Sequence, residues 1–319
     1  MKLRTLPILF LLTLSLITYN YVEVRGEKPL VVTTTSVLAS IVMDLAGDLV
    51  EVKYLVSPSM CPGHYDVKPG DVETIRSASL ILAHGMEWSG WLRDLIETAN
   101  QTGDLYVPIR NITGPWNSPS MLKQRYSAVA NVLEEVLGLS LDDKLSECLA
   151  AIDAVDEELK DYAKDYGFNN TPVVVMLWQV GFVSYLGFKV VAIYGPPEYL
   201  STEDIIEIEN NATKYGARLI IDNLHSGVDV GAKIAEDVGA VHVVLINFPE
   251  VVPGINNVTE MMLYNAKILA DGLNKYETIK EMSSLKQEVE LWKYVSWGCL
   301  FVIMIETALI IVMVKRRGR

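Results

Sequence analysis

The chain contains few cysteines and few histidines. Only three of its 319 residues are cysteine and four are histidine. Three cysteines do not form the disulfide framework of a small secreted domain, and a chain of this length can bury a sizeable hydrophobic core without one. Cys299 lies in a C-terminal apolar run, whereas Cys61 and Cys148 could pair in an oxidising compartment. The sequence alone leaves that pairing open.

Motifs typical of catalytic and nucleotide-binding sites are also absent. The chain has no Gly-x-Ser-x-Gly, no Gly-x-Gly-x-x-Gly and no Gly-x-x-x-x-Gly-Lys-Ser/Thr segment. It therefore offers neither a nucleophile elbow nor a phosphate-binding loop, and we expect a binding protein rather than an enzyme.

Basic residues are outnumbered by acidic ones. The chain has 27 Lys and Arg against 40 Asp and Glu, a formal net charge of −13 at pH 7. We expect no nucleic-acid partner for such an acidic surface. The charge would attract cations, but it would equally keep a protein soluble in a salty or hot habitat.

Both ends of the chain carry long apolar runs. Lys2 and Arg4 precede the run 6–19, which predicts a secretory signal peptide over residues 1–26; an uncleaved anchor is the alternative. The run 294–314 is long enough to span a bilayer, and the basic residues 315–319 that follow predict a cytoplasmic tail. No lipidation cysteine follows the signal, so we expect a single-pass C-terminal anchor in the cell membrane and an extracellular ectodomain.

N-glycosylation patterns support an extracellular glycoprotein. Five Asn-x-Thr patterns occur, and they begin at Asn100, Asn111, Asn169, Asn211 and Asn257.

Short β-branched runs alternate with helical patterns, which predicts an α/β fold with parallel sheets covered by helices. Four strands are expected before residue 115, at 30–35, 50–56, 78–84 and 104–109. Four more are expected after residue 170, at 172–178, 188–194, 217–222 and 240–247. The boundaries that follow are an N-terminal α/β lobe at 27–141, a linking helix at 142–167 and a C-terminal α/β lobe at 168–275.

The linking helix and a C-terminal stalk are predicted from helical periodicity. Apolar residues recur at steps of three and four from Leu145 to Tyr162, which indicates one amphipathic helix. A stalk at 276–293 carries an apolar face and leads into the transmembrane helix at 294–314. Glu306 inside that span would be costly facing lipid, so we expect it to face protein, either another copy or a membrane subunit.

Three of the four histidines follow predicted strands. Ligands of open α/β sheets bind beyond the carboxyl ends of the strands, and His64, His84 and His225 lie there together with Asp222. Nitrogen and carboxylate donors suit zinc, so these four residues are a candidate metal site. His242 lies inside a predicted strand, where a satisfied core histidine is expected.

The segment from Cys61 to Leu92 resembles a known family. A Pro-Gly-His-Tyr-Asp loop precedes Pro-Gly-Asp, an apolar strand ends at His84-Gly85, and a helix carries Trp91-Leu92. This order resembles the metal-binding receptors of zinc and manganese ABC importers, over roughly residues 30–275. The resemblance implies two four-stranded lobes joined by one long helix, capture of a zinc or manganese ion between the lobes, and delivery to an ABC permease with its ATPase.

The family's four ligand positions are all substituted. In register they fall on Gly63, on Gly114, on Met176 or Leu177, and on Asn247, none of which is a good ligand for such ions. Together with Cys61 and Trp178, these residues are expected to line the cleft.

Four interpretations remain open from the sequence. A metal could be held by the displaced set of His64, His84, Asp222 and His225. Copper could be held by a softer set, and an organic solute or metal chelate could stack on aromatic side chains. The scaffold could also belong to an anchored adhesion protein without metal binding. The softer set is Met60, Cys61, His64, Met86 and Met176; the aromatic set is Trp88, Trp116, Trp178 and Tyr194.

Overall fold

A computed structural model describes residues 27–101, 103 and 106–317. The described chain contains two four-stranded sheets in which every strand pair is parallel. The first sheet has the order β2-β1-β3-β4 and the second the order β6-β5-β7-β8. The strands are β1 Leu30–Thr33, β2 Glu51–Tyr54, β3 Leu80–Ala83, β4 Ile109–Asn111, β5 Pro172–Met176, β6 Lys189–Tyr194, β7 Leu219–Asn223 and β8 Val241–Leu245.

Helices connect and cover the strands, which confirms the predicted α/β class with two four-stranded lobes. The α-helices are α1 Ser36–Ala46, α2 Pro69–Ser77, α3 Trp91–Ala99, α4 Pro119–Leu137, α5 Asp142–Asp165, α6 Val180–Tyr185, α7 Thr202–Tyr215, α8 Asp229–Val238 and α9 Val258–Arg317.

Alternation along the central strands divides the first lobe into two layers. Val31 and Leu82 face the main core, which α1 and α4 also enter. Val32 and Ile81 face the opposite side and join a cluster with Ile75 of α2. Both faces of the sheet are thus covered by helices, as parallel sheets require.

Strand β4 lies later than the sequence predicts. The expected strand at 104–109 is observed at Ile109–Asn111, and Asp104 lies outside the described residues. Pro108 has no N–H to donate, but its carbonyl accepts a hydrogen bond from the Ile81 N–H at 2.9 Å. The ladder to β3 therefore begins at Ile109.

Helix α5 corresponds to the predicted linking helix. It packs against α1 and α4 of the first lobe and against α9, which covers the second sheet. Ile152 and Leu159 are its fully buried residues, and they belong to one core that includes strands of both lobes. The proposed lobe boundaries themselves stay predictions.

The predicted stalk and the predicted membrane span lie in one continuous helix, and their separate boundaries stay predictions. Both belong to α9, a single helix of 60 residues that begins at Val258 inside the second lobe. Its first turns are buried, and Asn265 exchanges two hydrogen bonds with the backbone of Ile246. No Gly or Pro interrupts the helix before Gly298 apart from Gly272, which packs on Val243.

The free part of α9 is long and exposed. By length and composition alone, this helix could cross a membrane within residues 258–314. The predicted signal peptide at 1–26 and the last two residues of the tail lie outside the described residues.

Candidate binding site between the lobes

The carboxyl ends of the two sheets face each other, and we call the region between them the interlobe cleft. In the closed arrangement observed, five hydrogen bonds between described residues cross this cleft. They are Ser36 Oγ to Pro249 O at 2.9 Å, Tyr54 OH to Glu250 Oε2 at 2.9 Å, Trp116 Nε1 to Asn247 O at 3.2 Å, Asn117 Nδ2 to Trp178 O at 3.1 Å, and the pair His225 Nε2 and Pro58 O at 2.6 Å.

A buried histidine and a buried carboxylate lie on the first-lobe side of the cleft. His84 is 5% exposed and Glu87 is 4% exposed. His84 Nε2 lies 2.8 Å from Thr35 Oγ1, and the Thr34 hydroxyl donates to Glu87 Oε1 at 2.8 Å. The His84 ring stacks on Trp116 with centroids 4.4 Å apart. Imidazole and carboxylate are thus held together at the ends of β1 and β3.

A glycine turn places Glu87 beside His84. Gly85 has φ of +94°, in the left-handed region that favours glycine. The chain then enters a 3-10 helix at Met86–Ser89, which returns Glu87 to the end of β1. A Cβ at Gly85 would lie only 3.2 Å from Thr113 Cγ2, so a larger residue at this position would also be crowded.

Unpaired polar atoms cluster around the same region. Among the described residues, five buried side-chain nitrogen or oxygen atoms have no hydrogen-bond partner, and an unpaired buried group costs about 1–3 kcal/mol. Such groups require an explanation, and a bound ligand is one. They are His84 Nδ1, Glu87 Oε2, Asn117 Oδ1, Arg125 Nε and Gln179 Oε1.

Two cleft positions of the second lobe are occupied by contacts within that lobe. Asn247, at which the resemblance predicts a ligand position, accepts a hydrogen bond from Gln179 Nε2 at 2.9 Å. Met176 is completely buried, and its sulfur accepts from the Trp178 N–H at 3.4 Å. Neither side chain is therefore free to act as a metal ligand in the cleft.

An arginine lies against Gly114, the position at which the resemblance predicts a second ligand. Gly114 has φ of +100°, and a Cβ there would lie 2.6 Å from Arg125 Nη1. A ligating side chain at this position would therefore require the flexible Arg125 side chain to move away. The structure thus has a cationic side chain beside the position at which the resemblance predicts a metal ligand.

The displaced set is not brought together. No group of three or more His, Cys, Asp or Glu side chains that could hold a metal occurs in the described part of the chain. His64 is exposed on the 3-10 helix Pro62–His64. His225 reaches across to Pro58, and Asp222 points into the second lobe.

Alternation along β7 explains the position of Asp222. This residue is on the same face as Ile220, which is covered by α7 and α8, and is 1% exposed. It accepts hydrogen bonds from Tyr194 OH and from His242 Nε2, the latter at 2.7 Å. Burial and the Asp222 charge raise the pKa of Tyr194 far above its usual value, so the hydroxyl stays protonated and donates. His242 is satisfied, as predicted.

The softer and aromatic sets are also dispersed. Met86 is 61% exposed on the first lobe while Met176 is buried in the second. Tyr194 is buried, Trp178 is half-exposed, and the Trp88 side chain lies outside the described residues. Cys61 and Cys148 are not paired with each other.

Sequence reasoning identified His84 but missed Glu87 and Arg125. The strand-end rule selects the residue that ends β3 and says nothing about the turn that follows. Gly85 was the available signal, since a glycine directly after a strand permits a turn of the chain back toward the sheet. Arg125 lies in the middle of α4, and its approach to Gly114 is a tertiary contact.

Residues 31–272 match the family model described as zinc-uptake complex component A, periplasmic. The chain belongs to this family. It comprises solute-binding proteins of metal ABC transporters rather than enzymes. The predicted resemblance is thereby confirmed.

Two curated relatives illustrate the metals named in this family. The chain is 26% identical over 198 residues to the manganese ABC transporter substrate-binding lipoprotein PsaA of Streptococcus anginosus, covering 54% of this chain and 62% of that one. It is 28% identical over 194 residues to the iron-binding protein YfeA of Yersinia pestis, covering 49% and 61%. In both cases the match covers less than two thirds of the relative.

Solved structures share the fold at low identity. The periplasmic zinc-binding protein TroA of Treponema pallidum superposes with a TM-score of 0.64 at 18% identity, over 77% of this chain and 99% of that one. A mutant of the laminin-binding adhesin Lmb of Streptococcus agalactiae gives 0.63 at 18% identity, over 78% and 100%.

The pKa of His84 predicts a loss of stability in acid. Burial lowers this pKa from 6.5 to about 4, against the opposing effect of the Glu87 charge. Between these values the unfolded state binds the extra proton, so the stabilising contribution is complete above pH ~6.5 and declines as pH falls. At pH 5 the loss should reach about 2 kcal/mol.

Denaturant unfolding of wild type and His84→Asn at pH 7.5 and pH 5 measures this effect. Asparagine has no titrating ring, so the wild-type stability should fall by about 2 kcal/mol more than that of the variant over this range. An identical pH dependence of the two proteins would show that the folded His84 titrates normally.

Proposed function

We propose that the chain is the membrane-anchored, extracellular solute-binding subunit of an ABC importer, and that its cargo is a transition metal of the zinc or manganese class. The observation that carries the proposal is the buried pair of His84 and Glu87 on the first-lobe side of the cleft of the metal-receptor fold, in which Glu87 Oε2 has no hydrogen-bond partner. The subunit would capture the ion in the interlobe cleft and release it to a permease driven by a cytoplasmic ATPase.

The donor chemistry supports a divalent ion. A lowered pKa keeps His84 neutral at physiological pH, so its ring can donate a lone pair. Glu87 Oε2 is buried and has no protein partner. Nitrogen and carboxylate donors suit zinc, and carboxylate suits manganese. Of the predicted set, His84 remains a metal ligand and Glu87 joins it. His225 instead holds the lobes closed through its contact with the Pro58 carbonyl.

Cleft opening is required for capture. Trp116 stacks on His84 and donates to Asn247 of the other lobe, so the closed state covers the donor pair. Separation of the lobes would break the five cross-cleft hydrogen bonds and expose His84 and Glu87. Helix α5, which packs against both lobes, would limit this movement.

Arg125 favours a second candidate cargo, a metal chelate or organic anion. A guanidinium binds carboxylate and phosphate groups through paired hydrogen bonds, and Arg125 Nε is buried without a partner beside the substituted position Gly114. Trp178 is 50% exposed and could stack against such a ligand. A bare cation would instead be repelled by this side chain.

The membrane anchor is proposed from α9. Its segment 294–314 is apolar and is followed by basic residues, the arrangement expected for a span with a cytoplasmic tail. Because α9 is continuous from the second lobe, the lobes would be carried directly on the anchoring helix.

Metal titration of the purified full-length chain tests the proposal. Zinc, manganese, iron and copper are titrated by calorimetry, and the chain as isolated is examined by elemental analysis. We expect one of these ions to bind, and we expect His84→Ala and Glu87→Gln each to weaken binding at least about tenfold by removing one donor. His64→Ala and Glu73→Gln, which change exposed residues, are matched controls and should bind normally.

Other outcomes discriminate between the candidates. If no ion binds but a chelate does, and Arg125→Ala and Trp178→Ala both abolish that binding, the second candidate replaces the first. If His64→Ala weakens metal binding as strongly as His84→Ala, the displaced set is correct. If neither ion nor chelate binds, the importer assignment fails and an adhesion function becomes the better explanation.

A further inference from the structure

The exposed part of α9 carries an apolar stripe that has no partner among the residues that the structure describes. Met282, Leu285, Val289 and Trp292 are each between 54% and 61% exposed, although they lie on one face of the helix. They are spaced by three, four and three residues, the spacing of core positions in a coiled coil. An isolated helix would leave this face in water.

The same face continues into the apolar segment. Steps of four, three, four and three residues from Trp292 lead to Ser296, Cys299, Ile303 and Glu306. Two of these four, Ser296 and Glu306, are polar and a third, Cys299, is small, in a segment that is otherwise almost entirely apolar. Glu306 in particular should not face lipid. The apolar face of the stalk and the polar face of the span are therefore one continuous surface.

Charges beside the stripe identify the partner. Glu281 and Glu288 flank it on one side, and Lys286 and Lys293 flank it on the other. In a parallel two-stranded coiled coil, a residue on the glutamate side of one helix faces the residue five positions later on the lysine side of the other helix. Glu281 would face Lys286 of a second copy, and Glu288 would face Lys293.

The charge pattern is self-complementary only for parallel copies. An antiparallel pair would place Glu against Glu and Lys against Lys. Lys293 contacts Glu290 of its own helix at 2.6 Å, but both side chains are exposed, and such surface pairs rearrange at little cost. A second copy anchored in the same membrane has the required parallel direction.

We propose that two copies of this chain associate through a parallel coiled coil that begins in the stalk near Met282 and continues into the apolar segment to Glu306. The proposal rests on the proposed membrane anchor for its second half. Its consequence is that two pairs of binding lobes are presented on one rigid double stalk.

Disulfide crosslinking of full-length chain in membranes tests the register. In a background of Cys61→Ser and Cys148→Ser, copper(II) phenanthroline takes two electrons from two Cys299 thiols, which lose two protons and form a disulfide. We expect a crosslinked dimer with Cys299, and at least about fivefold less in the matched variant Cys299→Ser with Gly298→Cys, because residue 298 lies off the contact face. Equal crosslinking at both positions would overturn the proposal.

Charge exchange tests the partner. One tagged copy carries Lys286→Glu and Lys293→Glu, and the other carries Glu281→Lys and Glu288→Lys. Each variant alone should dimerise less than wild type, whereas co-expressed copies should form mainly the mixed dimer, since every facing pair is then opposite in sign. Wild-type behaviour of both single variants would exclude the proposed contact.

Alkaline carbonate extraction of the same membranes separates the two proposals. If the chain is extracted, the anchor proposal fails. If it resists extraction but neither crosslinks through Cys299 nor responds to charge exchange, the anchor stands and the coiled coil is wrong.

Discussion

Gly231→Ala is expected to destabilise the second lobe by roughly 3–4 kcal/mol, the combined effect of overpacking and a disrupted buried hydrogen-bond network. A Cβ at Gly231 would lie 2.5 Å from Tyr194 OH and closer still to Asp222 Oδ2. These two groups bond each other and are both buried, and Asp222 also binds His242. Neither group can move without breaking a hydrogen bond.

Gly70→Ala is the matched control for this prediction. Gly70 also lies in a helix, but a Cβ there meets nothing within 4 Å. Alanine favours a helix over glycine by about 1 kcal/mol, so Gly70→Ala should be neutral or stabilising. Urea unfolding of both variants measures the difference, and similar stabilities would show that the Asp222 cluster is loosely packed.

The loop that follows β7 connects this cluster to the cleft. Asp222 and Asn223 end the strand, and the 3-10 helix Leu224–Ser226 then presents His225 to Pro58 of the first lobe. Gly231→Ala should therefore also weaken closure, since displacement of Asp222 moves the strand end that carries His225. The Asp222 carboxylate supports the cleft from within one lobe, although the sequence predicts it to be a ligand.

Local patterns accounted for most of the fold. Continuous apolar residues such as Val173, Val174 and Val175 predict a strand buried on both faces, and β5 is such a strand. The stripe from Leu145 predicts α5 because helical spacing is visible within a short window. Helix α9 continues through the stalk that the sequence predicts as helical, but it begins at Val258, before that stalk, because its first turns pack against the second lobe.

The candidate site was less accessible to sequence reasoning. The ends of the strands indicate where ligand-binding side chains can lie, but not which way each side chain points. Asp222 faces the helices because β7 starts where it does, a register set by pairing with β5 and β8. Arg125 reaches Gly114 through tertiary packing, and no local pattern encodes that contact.

Trp116→Ala should open the interlobe cleft. Trp116 stacks on His84, donates its indole N–H to Asn247 O at 3.2 Å, and lies with its ring centroid 6.1 Å from that of Phe248. Trp116 therefore contacts both the buried His84 ring and the opposite lobe. Truncation removes the ring contacts and the hydrogen bond together, and should cost roughly 2–4 kcal/mol for a partly buried tryptophan.

The measurement combines urea unfolding, small-angle X-ray scattering and hydrogen exchange on the ectodomain. Trp116→Ala should increase the radius of gyration and accelerate exchange at the backbone of Thr35 and His84, because the variant populates the open state. Trp178→Ala, which truncates a tryptophan that is 50% exposed, should change stability by less than about 0.5 kcal/mol and leave the scattering unchanged. If Trp116→Ala remains as compact and as protected as wild type, the remaining cross-cleft hydrogen bonds are sufficient for closure, and the indole does not control access to His84 and Glu87.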